Sequence, residues 1–102
     1  MKDAKDREII RTSITVRLAE SAVPHHLREG LVRYFADGIL PGSFLQAVLI
    51  NDLQQAVGRA DPQSMAGLPA LITFLTWEVP GEAWGSRRLV LAWTTTPDRL
   101  EV

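Results

Sequence analysis

The chain has 102 residues, of which 46% are hydrophobic and 23% are charged, and this composition predicts one folded domain rather than a disordered chain. Its 11 basic and 12 acidic residues give a net charge of −1, so the molecule as a whole lacks the basic field that attracts nucleic acid. Because the sequence has no cysteine, disulfides, cysteine-based zinc sites and thiol nucleophiles are excluded.

The N-terminal segment, residues 1–22, is charged at first and then carries scattered apolar positions, and we expect it to be partly helical. A helical domain is predicted over residues 23–97, with a polar tail over residues 98–102. The charged opening has no signal-peptide core, and no apolar run approaches the length of a membrane span. We therefore expect a cytoplasmic protein that does not enter a membrane.

The first regular helix is predicted to run from Pro24 to Gly38. Proline is tolerated in a first helical turn, and apolar residues then recur at helical spacing. Gly38 stands where a left-handed C-terminal residue is favoured, so the helix is expected to end there.

The stretch from Ser43 to Ala60 is predicted to be one continuous helix at the centre of the molecule. Ser43 is a good N-cap, since its hydroxyl can accept a hydrogen bond from an otherwise unpaired backbone N–H. The first half of the stretch is apolar nearly all round, which a helix tolerates only where neighbours cover most of it. We expect Leu49 and Leu53 to lie in the core.

Asn51 and Asp52 interrupt this apolar stretch. Asp52 borders the buried arc, so its carboxylate is expected to accept hydrogen bonds from a helix N-terminus, a loop, an arginine or Trp84. The alternative is a catalytic or partner-binding carboxylate, but one carboxylate without a nearby base gives little support for catalysis. We interpret both residues as structural polar groups.

Asp61 and Pro62 predict the start of a new helix, with Asp61 as its N-cap. Pro69 is expected to kink or split that segment, and Ser86 is expected to cap a last short helix. The predicted fold is therefore all-α, a compact irregular bundle of four to five short helices. The stripe expected to be buried after Asp61 consists of Met65, Leu68, Leu71, Ile72, Leu75 and Val79.

No set of residues predicts catalysis, a cofactor or a metal. His25 and His26 are adjacent, so on a helix they point about 100° apart and cannot readily hold one ion together. No glycine-rich phosphate loop, nucleophile elbow, EF-hand or carboxylate pair at catalytic spacing occurs. We expect the protein not to be an enzyme.

An aromatic surface is the most informative candidate site. Phe74 and Trp77 lie away from the apolar stripe of their helix, and Trp84 follows in a loop. Arg87 and Arg88 would oppose the dipole of the last helix, which is compatible with a docking role. These five residues are the predicted partner-binding set. The alternative is that the N-terminal segment or the last helix covers the aromatic face.

The most specific block in the middle of the chain is Pro-Gly-x-Phe-Leu at residues 41–45, followed by Ala-Val-Leu-x-Asn-Asp-Leu at residues 47–53. With the residues around it, over about residues 24–93, this block resembles a group of small bacteriophage and prophage proteins of unknown function. Arg87 departs from the group, which often has proline after Trp-Gly-Ser. The resemblance implies a phage-related origin and no activity. The matching residues are Pro24, His26, Arg33, Tyr34, Gly38, Pro41, Gly42, Phe44, Leu45, Ala47–Leu49, Asn51–Leu53, Ala60, Asp61, Leu68, Pro69 and Trp84–Ser86.

The leading hypothesis is a small phage or prophage protein that binds a bacterial host protein and modulates it, most simply as an inhibitor. The second possibility is a nucleic-acid-linked regulator, which would bind in a strongly salt-dependent manner. The arginines available to it are Arg28, Arg33, Arg59, Arg87 and Arg88. The third is a homodimeric interaction module, in which a symmetric copy completes the second apolar face.

Overall fold

The computed structural model describes residues 4–94 and, within that range, contains helices and no strand. The all-α prediction is confirmed. The expected number of helices was too low, because two of the predicted helices are each divided in two. Residues 95–102, which include the predicted tail, lie outside the described range. The helices are α1 (Ala4–Ala19), α2 (His25–Asp37), α3 (Ser43–Leu49), α4 (Leu53–Arg59), α5 (Pro62–Ala66), α6 (Leu68–Trp77) and α7 (Arg87–Thr94), with a 3-10 turn at Gly81–Ala83 before α7.

α1 and α2 form the most extensive helix pair in the described part of the chain. α1 contributes Ile14 and Leu18 to the same hydrophobic core that receives Leu31 and Phe35 from α2. The α2 helix ends as the sequence predicts: Gly38 adopts a left-handed conformation, with φ 67°, and its N–H donates to a carbonyl one turn back.

The predicted central helix is broken in the middle. Asn51 adopts a left-handed conformation, with φ 65°, and separates α3 from α4. The continuous helix from Ser43 to Ala60 was therefore a wrong prediction, and so was the burial of Leu53, which is 68% exposed. The burial of Leu49 is confirmed, at 0% exposure. Gly42, one residue before the predicted Ser43, is the N-cap of α3.

α5 and α6 meet at Gly67, where the start of α2 packs closely. A Cβ atom at Gly67 would collide with the ring of Pro24, so glycine allows this approach. Pro69 lies in the first turn of α6, where its missing N–H costs nothing, and the segment is split just before it. Leu71 and Leu75 are buried as predicted, whereas Met65 and Ile72, which were predicted to be buried with them, are each 39% exposed.

One buried and one partly buried hydrogen bond connect the last part of the described chain to the core. The Tyr34 hydroxyl donates to the Ala83 carbonyl at 2.6 Å, and the Trp93 indole N–H donates to the Tyr34 carbonyl at 2.9 Å. Burial raises the pKa of Tyr34 above its usual range, so the phenol stays protonated and remains a donor. Ser86 caps α7 as predicted, its hydroxyl accepting from the Leu89 N–H at 3.2 Å.

Candidate protein-binding surface

Trp77, the last residue of α6, is 76% exposed, more than any other large hydrophobic side chain in residues 4–94. A tryptophan side chain contributes some 150–250 Å² of surface when it is buried, so leaving one in water forgoes a large stabilisation. Aromatic side chains of this kind dominate the energetics of protein interfaces. Trp77 is therefore the residue around which a binding surface can be defined.

A groove of about 520 Å³ lies beside Trp77, between the outer face of α6 and the C-terminal end of α1. The α6 wall consists of Ala70, Thr73, Phe74 and Trp77, which share one face of the helix because they are three or four residues apart. The facing wall comes from the end of α1 and the turn after it, including Glu20. We call this concavity the Trp77 groove.

The rim of the Trp77 groove is charged. Arg17 donates through Nη1 to the Glu78 carbonyl at 3.0 Å, and the same Nη1 lies 3.6 Å from Oε1 of Glu78. Both side chains are close to half exposed, so this ion pair adds little to stability. With Glu20 it surrounds an apolar wall with polar groups, which is the usual arrangement of a protein interface.

The five predicted partner-binding residues do not form one surface. Phe74 is only 2% exposed and belongs to the core at the base of the Trp77 groove. Trp84 is half-buried and packs against the core. Arg87 and Arg88 are exposed on the first turn of α7, and neither lines the groove. The structure thus leaves Trp77 as the exposed aromatic residue of the set.

Asn51 and Asp52 form the joint between α3 and α4. The Asp52 carboxylate accepts from the backbone N–H of Gln55 at 3.1 Å, which makes it the N-cap of α4. Asn51 is exposed and supplies the left-handed turn. Asparagine is among the few residues other than glycine that tolerate this conformation.

A polar cluster that the sequence reading missed joins the start of α2 to α5. His26 Nε2 lies 2.9 Å from Ser64 Oγ and 3.9 Å from Asp61 Oδ2. Asp61 Oδ1 accepts from the Ser64 N–H at 2.6 Å, which confirms Asp61 as an N-cap. The backbone and side-chain hydrogen bonds from Ser64 lower the pKa of Asp61 below its ordinary value of 3.8. The capping signal was readable locally, but no sequence pattern pairs His26 with a residue 38 positions later.

This cluster has the residue types of a catalytic triad without its geometry. A triad places serine on one imidazole nitrogen and the carboxylate on the other, whereas both groups here lie nearest Nε2 of His26. Ser64 is also only 3% exposed, so substrate has no direct access to its hydroxyl. The contacts of His26 with Ser64 and Asp61 can stabilise the packing of α5 against α2. In residues 4–94 no group of three acidic or histidine side chains could hold a metal ion.

The arginines considered for nucleic acid are largely engaged within the protein. Arg28 donates to the carbonyls of Val23 and Ser21 at 3.0 and 3.3 Å. Arg33 pairs with Glu29 on the same helix, and the Arg59 guanidinium reaches a backbone carbonyl at 3.3 Å. Three of the five candidate arginines are thus held by contacts within the protein, while Arg87 and Arg88 are exposed on α7.

Comparison with protein-family models, with curated proteins and with solved structures gives no match to this chain. Within the described residues, no helix has both the length and the apolar character needed to cross a bilayer.

Proposed function

We propose that this chain is a small phage- or prophage-type protein that binds a bacterial host protein in the cytoplasm and modulates it, most simply by inhibition. The bound protein would cover the Trp77 groove. The exposure of Trp77, at 76%, is the observation that carries this proposal. The resemblance of the Pro-Gly-x-Phe-Leu to Asn-Asp-Leu block to small phage proteins supports the phage-related origin.

The chemistry of the groove supports a protein as the partner. Trp77 offers a large apolar side chain that gains free energy when a partner removes it from water. Glu20 and the Arg17–Glu78 pair stand at the rim, where polar groups of a partner can pair with them and fix its orientation. The net charge of −1, and the contacts within the protein that hold Arg28, Arg33 and Arg59, give no comparable support to a nucleic-acid partner.

The test is affinity capture from a bacterial lysate with tagged chains, followed by mass spectrometry of the retained proteins. Three chains are compared: the unmodified protein, Trp77→Ala and Leu53→Ala. Leu53 is the matched control because it is 68% exposed but does not line the Trp77 groove. A partner specific to the groove is retained by the unmodified chain and by Leu53→Ala, and is reduced roughly tenfold or more by Trp77→Ala. Equal retention by all three chains would contradict the proposal.

Modulation is tested separately, on the activity of the captured protein. Adding the unmodified chain is expected to lower that activity in proportion to the fraction of partner bound. Trp77→Ala is expected to need a correspondingly higher concentration for the same effect. A partner that binds the groove and keeps its full activity would contradict the modulating role while leaving the binding role intact.

A further inference from the structure

α1 packs one apolar face against the core and carries two exposed apolar residues on its outer side. Ile14 and Leu18 point into the core, at 4% and 1% exposure. Ile9 and Val16 lie on the opposite side and are 59% and 53% exposed. Because they are seven residues apart, they lie nearly on one line along the helix, about 10 Å from each other. We call the line through Ile9 and Val16 the outward line of α1. The opposite side of the helix, with Ile14 and Leu18, is already packed in the core.

The ends of the outward line carry opposite charges. Lys5 precedes Ile9 by four residues and lies in the first turn of α1, whereas Glu20 follows Val16 by four and is the first residue after α1. Both therefore continue the line at its two ends. A basic residue at the start of a helix and an acidic residue at its end both oppose the helix dipole. The dipole of α1 therefore disfavours each of these charges, and an opposite charge on a second molecule would stabilise it.

We propose that two copies of this chain pair through the outward lines of antiparallel α1 helices. The midpoint between Ile9 and Val16 falls between Thr12 and Ser13, and so does the midpoint between Lys5 and Glu20. A twofold axis at that point sets Ile9 against Val16 of the second copy and Lys5 against Glu20 of the second copy. One axis thus satisfies both the apolar pair and the charged pair.

The shape of α1 fits this arrangement. A shallow depression of about 520 Å³ lies beside Ile9 and is bordered by Lys5, Glu8, Thr12 and Ser13. Val16 of the second copy would face this depression. The small side chains of Thr12 and Ser13 stand at the crossing point, where they allow two helix axes to approach closely. A parallel pair would instead set lysine against lysine and glutamate against glutamate, which repel.

The contact is one helix long, about 24 Å, and so belongs among the small interfaces that give weak, concentration-dependent dimers. It does not depend on the proposed host partner, because every experiment on it uses this chain alone. Glu20 also lines the Trp77 groove, so the two surfaces meet at the end of α1.

Charge reversal tests the pairing by sedimentation equilibrium over a wide concentration range. The unmodified chain is expected to dimerise, and Lys5→Glu or Glu20→Lys alone is expected to weaken the dimer about tenfold or more. The double variant Lys5→Glu/Glu20→Lys restores the opposite charges and is expected to recover the dimer. Leu53→Ala is the control and leaves the dimer unchanged. A monomer at all concentrations, or a dimer indifferent to the reversals, would overturn the proposal.

Cross-linking tests whether the two α1 helices are antiparallel. Because the chain has no native cysteine, only the introduced cysteines react with the cross-linker. Lys5→Cys and Glu20→Cys chains are mixed and treated with a short bis-maleimide at a concentration where the dimer forms. Cross-linked dimers are expected in the mixture, with much less product from either variant alone. Efficient cross-linking of Lys5→Cys to itself would show a parallel pair and overturn the proposed geometry.

Discussion

α3 and α4 each have seven residues and follow each other in the chain, but they stand in different surroundings. α3 is enclosed, and five of its residues are buried. α4 is a surface helix whose one buried residue is Ala56, while its apolar Leu53 and Val57 are 68% and 44% exposed. The buried residues of α3 are Phe44, Leu45, Ala47, Val48 and Leu49.

The difference shows that a backbone signal of two residues can override a helical pattern of eighteen. The apolar spacing continues from α3 into α4 and predicts one helix. Asn51, however, takes the left-handed conformation that ends helices, and Asp52 caps the helix that follows. The change of direction between them keeps α3 in the core and places α4 at the surface.

The same substitution in the two helices should have very different effects. Leu49→Ala removes a side chain that is 0% exposed and is expected to reduce the free energy of unfolding by about 2–5 kcal/mol. Leu53→Ala removes one that is 68% exposed and is expected to change it by less than about 0.5 kcal/mol. Urea unfolding measures both. Equal losses would mean that the two helices share one buried environment.

Substitution of Asn51 tests the break itself. Asn51→Ala places an ordinary side chain at φ 65° and is expected to cost about 1 kcal/mol of unfolding free energy. Asn51→Gly, which accepts this conformation without strain, is the control and is expected to be no less stable than the unmodified chain. Because Asn51 is exposed, lost packing contributes little to either result. A more stable Asn51→Ala variant in urea unfolding would indicate a continuous helix.

The N-cap of α4 is expected to contribute as much unfolding free energy as the conformation of Asn51, or less. Asp52→Ala removes the acceptor for the Gln55 N–H and is expected to cost about 1 kcal/mol. Asp52→Asn keeps an acceptor and is expected to stay within a few tenths of a kcal/mol of the unmodified chain. Thermal unfolding of the two variants separates these outcomes. Equal losses would mean that the carboxylate acts through its charge rather than as a cap.

Asp61 is the next N-cap along the chain, and its substitution is expected to change the stability least of these variants. That change is also expected to depend on pH. The lowered pKa of Asp61 means that the folded state favours the ionised carboxylate, so its stabilisation is present above about pH 4 and is lost as the pH falls through the lowered pKa. Asp61→Ala is therefore expected to have a lower Tm than the unmodified chain at pH 7. The difference between the two Tm values is expected to shrink in acid. An equal deficit at pH 7 and pH 3 would contradict the cause assigned to the shift.

Local signals predicted the fold class and most helix ends, because caps and glycines act within a few residues. Gly38, Asp61 and Ser86 each terminate or cap a helix where the sequence predicts. A helix end was missed where the apolar spacing predicted a continuous helix and the local residues allowed a break. Asn51 and Asp52 were interpreted as polar residues on a continuous helix, although Asn followed by Asp can also end one helix and begin another.

The candidate site was less predictable, because it depends on contacts between distant parts of the chain. The helical wheel placed Phe74 and Trp77 on one face, which is correct, since both line the same groove. It could not show that the core takes up Phe74 and leaves Trp77 outside. The separation of Trp84 from the groove likewise depends on how the final loop packs.

The central claim is that Trp77 belongs to a surface that the fold does not need. The most direct measurement compares the unfolding free energies of Trp77→Ala and Phe74→Ala, two aromatic truncations one helical turn apart. Trp77→Ala is expected to lie within about 0.5 kcal/mol of the unmodified chain, whereas Phe74→Ala is expected to lose about 3–5 kcal/mol. A loss at Trp77 as large as that at Phe74 would assign Trp77 to the core and contradict the account.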